Sequence, residues 1–328
     1  MGVFMGWIPL SSVKPFEMDR ATRQRLYFGL GEFPPLNIVN PKDVENYLQW
    51  HPKLINNEKL ISVTEVYGYY PDLYEHWSRN KVYLIEFLTE GLPISNSYDL
   101  GSSLDLVKEN VVGKIVDPDV GIHERSVQTK LFESGFPVPE PRGLSLPTTA
   151  EDEEILRRAK PKSVLWMDFV ESKYTFEKYM LYLCVGEEKV NSKSFQRIAD
   201  LIAAMWDLDV AHGDLKGEHI LQTNKDRWVI IDLGEAKEDE YAARVNDLYI
   251  LITDTTVFVE RHLRSRKLDE ESFTHALSDL SDVLTLFLEQ ISSSVQQTLL
   301  NDVFQKIYRE AHVLSNGFRN IIASAFPK

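Results

Sequence analysis

Cysteine is nearly absent: Cys184 is the only one in 328 residues. That excludes an intramolecular disulfide framework and a cysteine-based zinc cluster, and it fits a reducing, cytoplasmic setting. Long apolar runs are missing too; none approaches the roughly 18 residues that suggest a membrane span. The opening stretch "MGVFMGWIPLSSVKPFEMD" lacks a basic n-region and a long apolar core, so no signal peptide is expected. Gly6 breaks the myristoylation pattern that Gly2 begins. Positive charge is in short supply, with 36 Lys and Arg against 50 Asp and Glu, for a net charge of -14. A chain so acidic is not expected to bind nucleic acid or anionic membrane in bulk. Internal repeats and low-complexity tracts are also absent.

What is present describes a globular chain. Hydrophobic residues make up 43% and charged residues 26%, ordinary values for a folded protein. The length suits two domains, or one large domain with an appendage. Residues 1–92 are rich in aromatics, densest at "VYGYYPDLYEHW", and carry no recognisable chemistry, so a structural or partner-binding extension is expected there. Within it, "PKDVENYLQWH" has helical spacing, and "KVYLIEFLTE" over 81–90 fits either a helix or a buried strand. From about residue 95, "SYDLGSSLDLVKENVVGKIV" predicts short antiparallel strands, with Gly-Ser and Glu-Asn as turns. "GIHERSVQTKLFESG" predicts a helix stopped by Gly135, and the prolines of "FPVPEPRGLSLP" impose extended chain. "SVLWMDFV" predicts a strand. "SKSFQRIADLIAAMWDLDV" predicts an amphipathic helix with Phe195, Ile198, Ile202 and Met205 on its buried stripe. The tail from 241 to 326 predicts a series of helices. The expected class is therefore α+β: a small β-rich lobe followed by a mostly helical lobe, joined near 168–172.

Two acidic turns carry the chemistry. "VAHGDLKGEHIL" places Asp214 after the long helix, and "WVIIDLG" places Asp232 at the end of a buried strand. Carboxylates on adjacent loops can divide labour: one orients a hydroxyl and accepts its proton, the other holds a divalent cation against phosphate oxygens. Either turn alone is commonplace; helix, "HGDLK", short hairpin and "IIDLG" in series is much rarer.

Over about 95–255 these residues resemble the protein-kinase-like superfamily. "HGDLKGEHIL" is similar to the catalytic loop "HRDLKxxN", and "IDLGEA" to the metal-binding segment "DFG". The resemblance implies a bilobal kinase-like fold over 93–328, with an N-lobe at 93–168, a C-lobe at 169–328, and 1–92 as an added region. It implies ATP with Mg²⁺ or Mn²⁺, and Asp214 and Lys216 as catalytic residues. Asp232 would hold the metal, and His219 would do so where the family has an asparagine. "NVVGKIV" nominates Lys114 for the nucleotide phosphates, with Lys108 in reserve, and Glu124 as the partner of that lysine. Gly101, Ser102 and Ser103 would lie against the phosphates. Met167 would sit behind the adenine, with Asp168 to Val170 offering backbone hydrogen bonds to it. Asp247, in "VNDLYIL", would brace the catalytic loop.

The Gly in "HGDL", the absence of an "APE" sequence and the fifteen positions from Asp232 to Asp247 resemble the atypical group. That group includes the KEOPS-complex, RIO and lipopolysaccharide kinases. The implied function is phosphoryl transfer from ATP to a protein Ser/Thr or small-molecule hydroxyl. Two alternatives stay open: a kinase-fold ATPase or switch inside a complex, and a scaffold without catalysis. Retention of Asp214, Lys216 and Asp232 weighs against the scaffold.

Overall fold

The computed structural model describes residues 59–65, 82–90, 106–145, 163–238, 240–266, 268–294 and 297–310. The helix expected over 41–51 and the tail beyond 310 lie outside the described residues. The architecture is α+β, with six α-helices and small antiparallel sheets among the described residues. The chain divides into two compact units, one within Met1–Ser126 and Glu140–Phe169, the other within Val127–Pro139 and Val170–Lys328.

The first unit is built on a five-stranded antiparallel sheet. Its strands are β1 (Lys59–Glu65), β2 (Val82–Glu90), β3 (Leu106–Val116), β4 (Pro141–Ser145) and β5 (Ser163–Asp168), in the order β1-β2-β3-β5-β4. The ambiguous segment 81–90 is thus a strand. β2 and β3 pair along their whole length, from Val82 opposite Lys114 to Glu90 opposite Leu106. The sheet therefore runs across the boundary expected at 92/93. The Glu109-Asn110 turn does not form: both residues sit inside β3, opposite Phe87 and Glu86. Ladder bonds from β2, and from β5 over Val111–Val116, outweigh the local turn preference of Asn. Val116, Leu144, Leu165 and Met167 form the small core of this unit.

Helix α1 (Pro118–Glu133) starts on a proline, whose missing N–H costs nothing in a first turn. It ends as expected at Gly135, where φ is +77°. Gly135 N–H donates to Phe132 O at 2.9 Å and Phe136 N–H to Leu131 O at 3.0 Å, satisfying carbonyls that the helix end leaves open.

The second unit is mostly helical: α2 (Phe176–Cys184), α3 (Ser192–Asp207), α4 (Tyr241–Ser265), α5 (Glu270–Ser294) and α6 (Gln297–Glu310). Thr175 caps α2 by accepting from Lys178 N–H, and Asn191 caps α3 by accepting from Lys193 N–H. The stripe read along α3 is the core: Phe195, Ile198, Ile202 and Met205 are all fully buried. Phe176, Tyr179, Phe195, Trp228 and Phe287 interlock with ring centroids 5.0–6.4 Å apart. Each buried aromatic of this kind contributes about 2–3 kcal/mol. Two small sheets ride on this core. β6 (Ser172–Thr175), β8 (Ile220–Thr223) and β9 (Trp228–Ile230) form one, and β7 (Val210–Ala211) with β10 (Lys237–Glu238) forms the other. No helix among the described residues is long and apolar enough to cross a membrane.

Candidate active site

After α3 the chain reverses through Asp209 in the left-handed region, at φ +56°, and runs through β7 into residues 212–216. This loop contains few regular backbone bonds, so side chains must hold it. Asp247 on α4, with no exposed surface, accepts from His212 N–H and from Gly213 N–H, each at 2.8 Å. Trp206 Nε1–H donates to the same carboxylate at 3.4 Å. Burial holds the Asp247 carboxyl above its ordinary value, with the two backbone donors opposing part of that rise. The bracing expected of Asp247 is thus present in full.

The turn at Asp232 is tied to the same loop. β8 and β9 pair with Ile220 opposite Ile230, and Ile231 N–H donates to His219 O at 3.0 Å. His212 donates through Nε2 to Ile231 O at 2.9 Å, while its Nδ1 accepts from Asp214 N–H at 3.4 Å. Both ring nitrogens are therefore committed, and no lone pair is left for proton abstraction. Burial, and then the neighbouring His219 ring, hold His212 neutral, its pKa lowered to about 4. Asp232 itself sits at φ +62°, a conformation that Asp and Asn tolerate better than other side chains.

Gly213 packs directly against the second turn, at Glu235. Its φ is +82°, and a Cβ there would stand 2.0 Å from Glu235 O. The "HGD" sequence is thus dictated by space as well as by conformation.

The expected residues of this unit come together. Lys216 Nζ lies 2.9 Å from Asp214 Oδ2. His219 Nδ1 bonds Asp214 O at 2.8 Å; since a carbonyl only accepts, Nδ1 carries a proton, and in the neutral ring the lone pair is on Nε2. That nitrogen lies 3.6 Å from Asp232 Oδ2 and 3.7 Å from Glu218 Oε1. A fixed imidazole lone pair facing a carboxylate suits a divalent cation, and the bond that sets the tautomer is the usual partner of a ligating histidine. Among the described residues, no group of three or more His, Cys, Asp or Glu side chains is arranged to hold a metal ion. Asp232 and His219 would thus make a two-donor site, the kind completed by substrate phosphates and water.

Sequence patterns missed Glu177. Its side chain is 1% exposed and its Oε1 has no protein partner. It packs beneath the loop that carries Asp214 and Lys216, where a Cβ on Gly217 would stand 2.8 Å from Glu177 Cβ and 2.6 Å from Thr255 Oγ1. Burial first, and then the charges of Glu218 and Asp254, push its carboxyl up to about 9. The available signal was an acid inside a helix that, Lys178 apart, is otherwise apolar or aromatic, "FEKYMLYLC". In the folded chain Glu177 keeps its proton to about pH 9, whereas unfolded it ionises near 4.5. Between those values the folded state binds more protons, so this group makes stability fall as pH rises. Glu177→Gln should therefore melt about 5 °C above wild type at pH 8, with the gap closing toward pH 4.5. A constant gap in thermal melts would show that Glu177 is ionised in the fold.

In the first unit, Lys114 and Glu124 form a bidentate ion pair, with Nζ 2.8 Å from both Oε1 and Oε2 and side chains 6% and 2% exposed. The ten positions between them are enough for β3 to turn into α1 and bring the groups together. Lys108 also lies in β3, opposite Leu88. Met167 is buried at the end of β5. The backbone at Asp168 is less free than expected: its N–H donates to Glu140 O at 3.0 Å, and the residue is paired with Val111 in the β3–β5 ladder. Arg142 Nε holds the Asp168 carboxylate. Phe169 N–H reaches Asn110 O at 3.4 Å, and Val170 begins the second unit. Gly101, Ser102 and Ser103 lie outside the described residues.

Breaking the Lys114–Glu124 pair on one side should cost about 3–5 kcal/mol, because a buried charge loses the counter-charge it meets at 2.8 Å. The double change Lys114→Met with Glu124→Leu removes both charges and should restore most of that stability in denaturant titrations. Any nucleotide affinity that depends on the lysine should stay lost in the double variant.

Compared with protein-family models and with curated proteins, the chain matches none.

Proposed function

We propose that the chain is an ATP-dependent phosphotransferase of the atypical kinase type, with a bilobal kinase-like fold. It would transfer the γ-phosphoryl group to a hydroxyl of a protein Ser/Thr or of a small molecule. One observation carries this reading: Asp214 is bonded to Lys216 and His219, Asp232 Oδ2 stands 3.6 Å from His219 Nε2 on the adjacent turn, and Asp247 braces the loop beneath them.

The chemistry follows from those groups. The acceptor oxygen attacks the γ-phosphorus, an O–P bond forms, and the bond to the β,γ-bridging oxygen breaks to release ADP. Asp214, 33% exposed at its side chain, orients the hydroxyl and takes its proton. Lys216, beside it, offers a cation to the transferred group as charge builds on its oxygens. A divalent cation held by Asp232 and His219 would neutralise the nucleotide phosphates. Lys114, oriented by Glu124 within the first unit, would contact nucleotide phosphates. The protein's contribution is positioning and charge, as phosphoryl transfer requires.

Incubation with γ-labelled ATP and Mg²⁺ or Mn²⁺ tests this. Label on a hydroxyl acceptor or on the chain itself supports phosphoryl transfer. Release of phosphate with no labelled acceptor points to an ATPase or switch. No turnover, with no nucleotide-induced thermal shift, points to a scaffold.

A further inference from the structure

Helix α6 is joined to α4 by a polar seam as well as by its buried Leu299, Leu300, Val303 and Ile307. Tyr241 O–H donates to Asp302 at 2.6 Å. Lys306 Nζ sits 4.4 Å from the Tyr249 ring centre and donates to Asn246 Oδ1 at 2.8 Å. Asn246 Nδ2 in turn donates to Gly213 O at 3.5 Å. The seam therefore ends on the residue before Asp214.

The direction of this chain of bonds is fixed chemically. Lys306 has donors only, so the atom of Asn246 that it meets is the amide oxygen, and the amide nitrogen must be the one facing Gly213. The carbonyl of Gly213 and the N–H of Asp214 belong to one rigid peptide plane. Asn246 holds one edge of that plane, and His212 Nδ1 holds the other, at 3.4 Å. Both bonds are long, so neither alone fixes the plane. Asp247, the next residue on α4, controls the preceding N–H of Gly213 at 2.8 Å. Consecutive residues of α4 thus grip both polar groups of Gly213.

We infer that Asn246 and Lys306 are positioning residues for Asp214, and that the docking of α6 on α4 sets the orientation of the catalytic loop. The inference rests on the phosphotransferase reading for its consequence in turnover, and on the bonds alone for its consequence in loop order. Neither residue touches the reacting groups.

Asn246→Asp separates positioning from scaffolding. The carboxylate still accepts from Lys306, so α6 stays docked, but it cannot donate to Gly213 O. Full-length Asn246→Asp should melt like wild type or slightly above it. Its kcat should fall about fivefold to tenfold, the worth of one ordinary hydrogen bond, with KM for ATP unchanged. Amide exchange at Asp214, followed by NMR, should quicken by a similar factor. Lys306→Met should show both effects in weaker form, and Lys306→Arg should restore them. Wild-type kcat and unchanged Asp214 exchange in Asn246→Asp would overturn the inference. If wild type itself fails to turn over ATP, the phosphotransferase reading falls, and with it the role in turnover. The exchange rates then still decide whether the seam controls the loop.

Discussion

Asp214→Asn is expected to lower turnover by about 10²–10⁴-fold, the range for removing a positioned proton acceptor. Stability should move by no more than about 0.5 kcal/mol. The separation is possible because the two roles of Asp214 lie on different atoms. Its backbone oxygen receives Lys216 N–H at 3.0 Å and His219 Nδ1 at 2.8 Å, and both bonds survive in the variant. Its carboxylate is partly exposed and meets Lys216 Nζ at 2.9 Å, a pair worth little to the fold. ATP affinity should stay within about threefold of wild type, since Asp214 is assigned to the acceptor and not to the nucleotide. A variant that kept more than about a tenth of wild-type turnover would remove Asp214 from the mechanism.

Gly213→Ala is expected to damage fold and turnover together. An alanine at φ +82° costs about 1–3 kcal/mol in backbone strain. Its Cβ would also stand 2.0 Å from the backbone oxygen of Glu235, which no rotamer change can relieve. The two turns must move apart, and they carry Asp214 and Asp232. A loss of about 3 kcal/mol or more in denaturant titrations is expected, with turnover down at least about 10²-fold in the fraction that folds. A stable, active Gly213→Ala would mean that the contact between the turns is not required. The glycine that distinguishes "HGD" from "HRD" is thus a physical requirement of this loop.

How much of this was legible beforehand depended on distance along the chain. Asp214, Lys216, His219, Asp232 and Asp247 lie within 34 positions, and one hairpin plus one helical turn brings them together. Short connections leave little choice of geometry, so their spacing carried the information. Phe195, Ile198, Ile202 and Met205 were equally visible, because a helix buried on one side writes its period into the sequence. Asn246 and Lys306 were not visible, since their bond spans 60 positions and neither residue type stands out on a helix. β1 was hidden, and β2 stayed open between helix and strand, for a related reason. Both lie in an aromatic-rich stretch without clean alternation, and the sheet they extend continues through a strand beyond residue 105. Glu109-Asn110 shows the opposite failure, a local turn signal overruled by ladders on two sides. Asp168 to Val170 were assigned backbone hydrogen bonds toward a ligand, but Glu140 takes the Asp168 N–H, a contact that no motif encodes.

Nucleotide-dependent binding of Mn²⁺, followed by electron paramagnetic resonance, tests the central claim most directly: that Asp232 and His219 form a half-built cation site completed by ATP. One tightly bound Mn²⁺ per chain should appear when ATP is added, and little without it. Asp232→Asn, which the φ of +62° tolerates, should weaken that binding more than about tenfold while the fold is kept. Mn²⁺ binding that ignores ATP, or that survives intact in Asp232→Asn, would contradict the account.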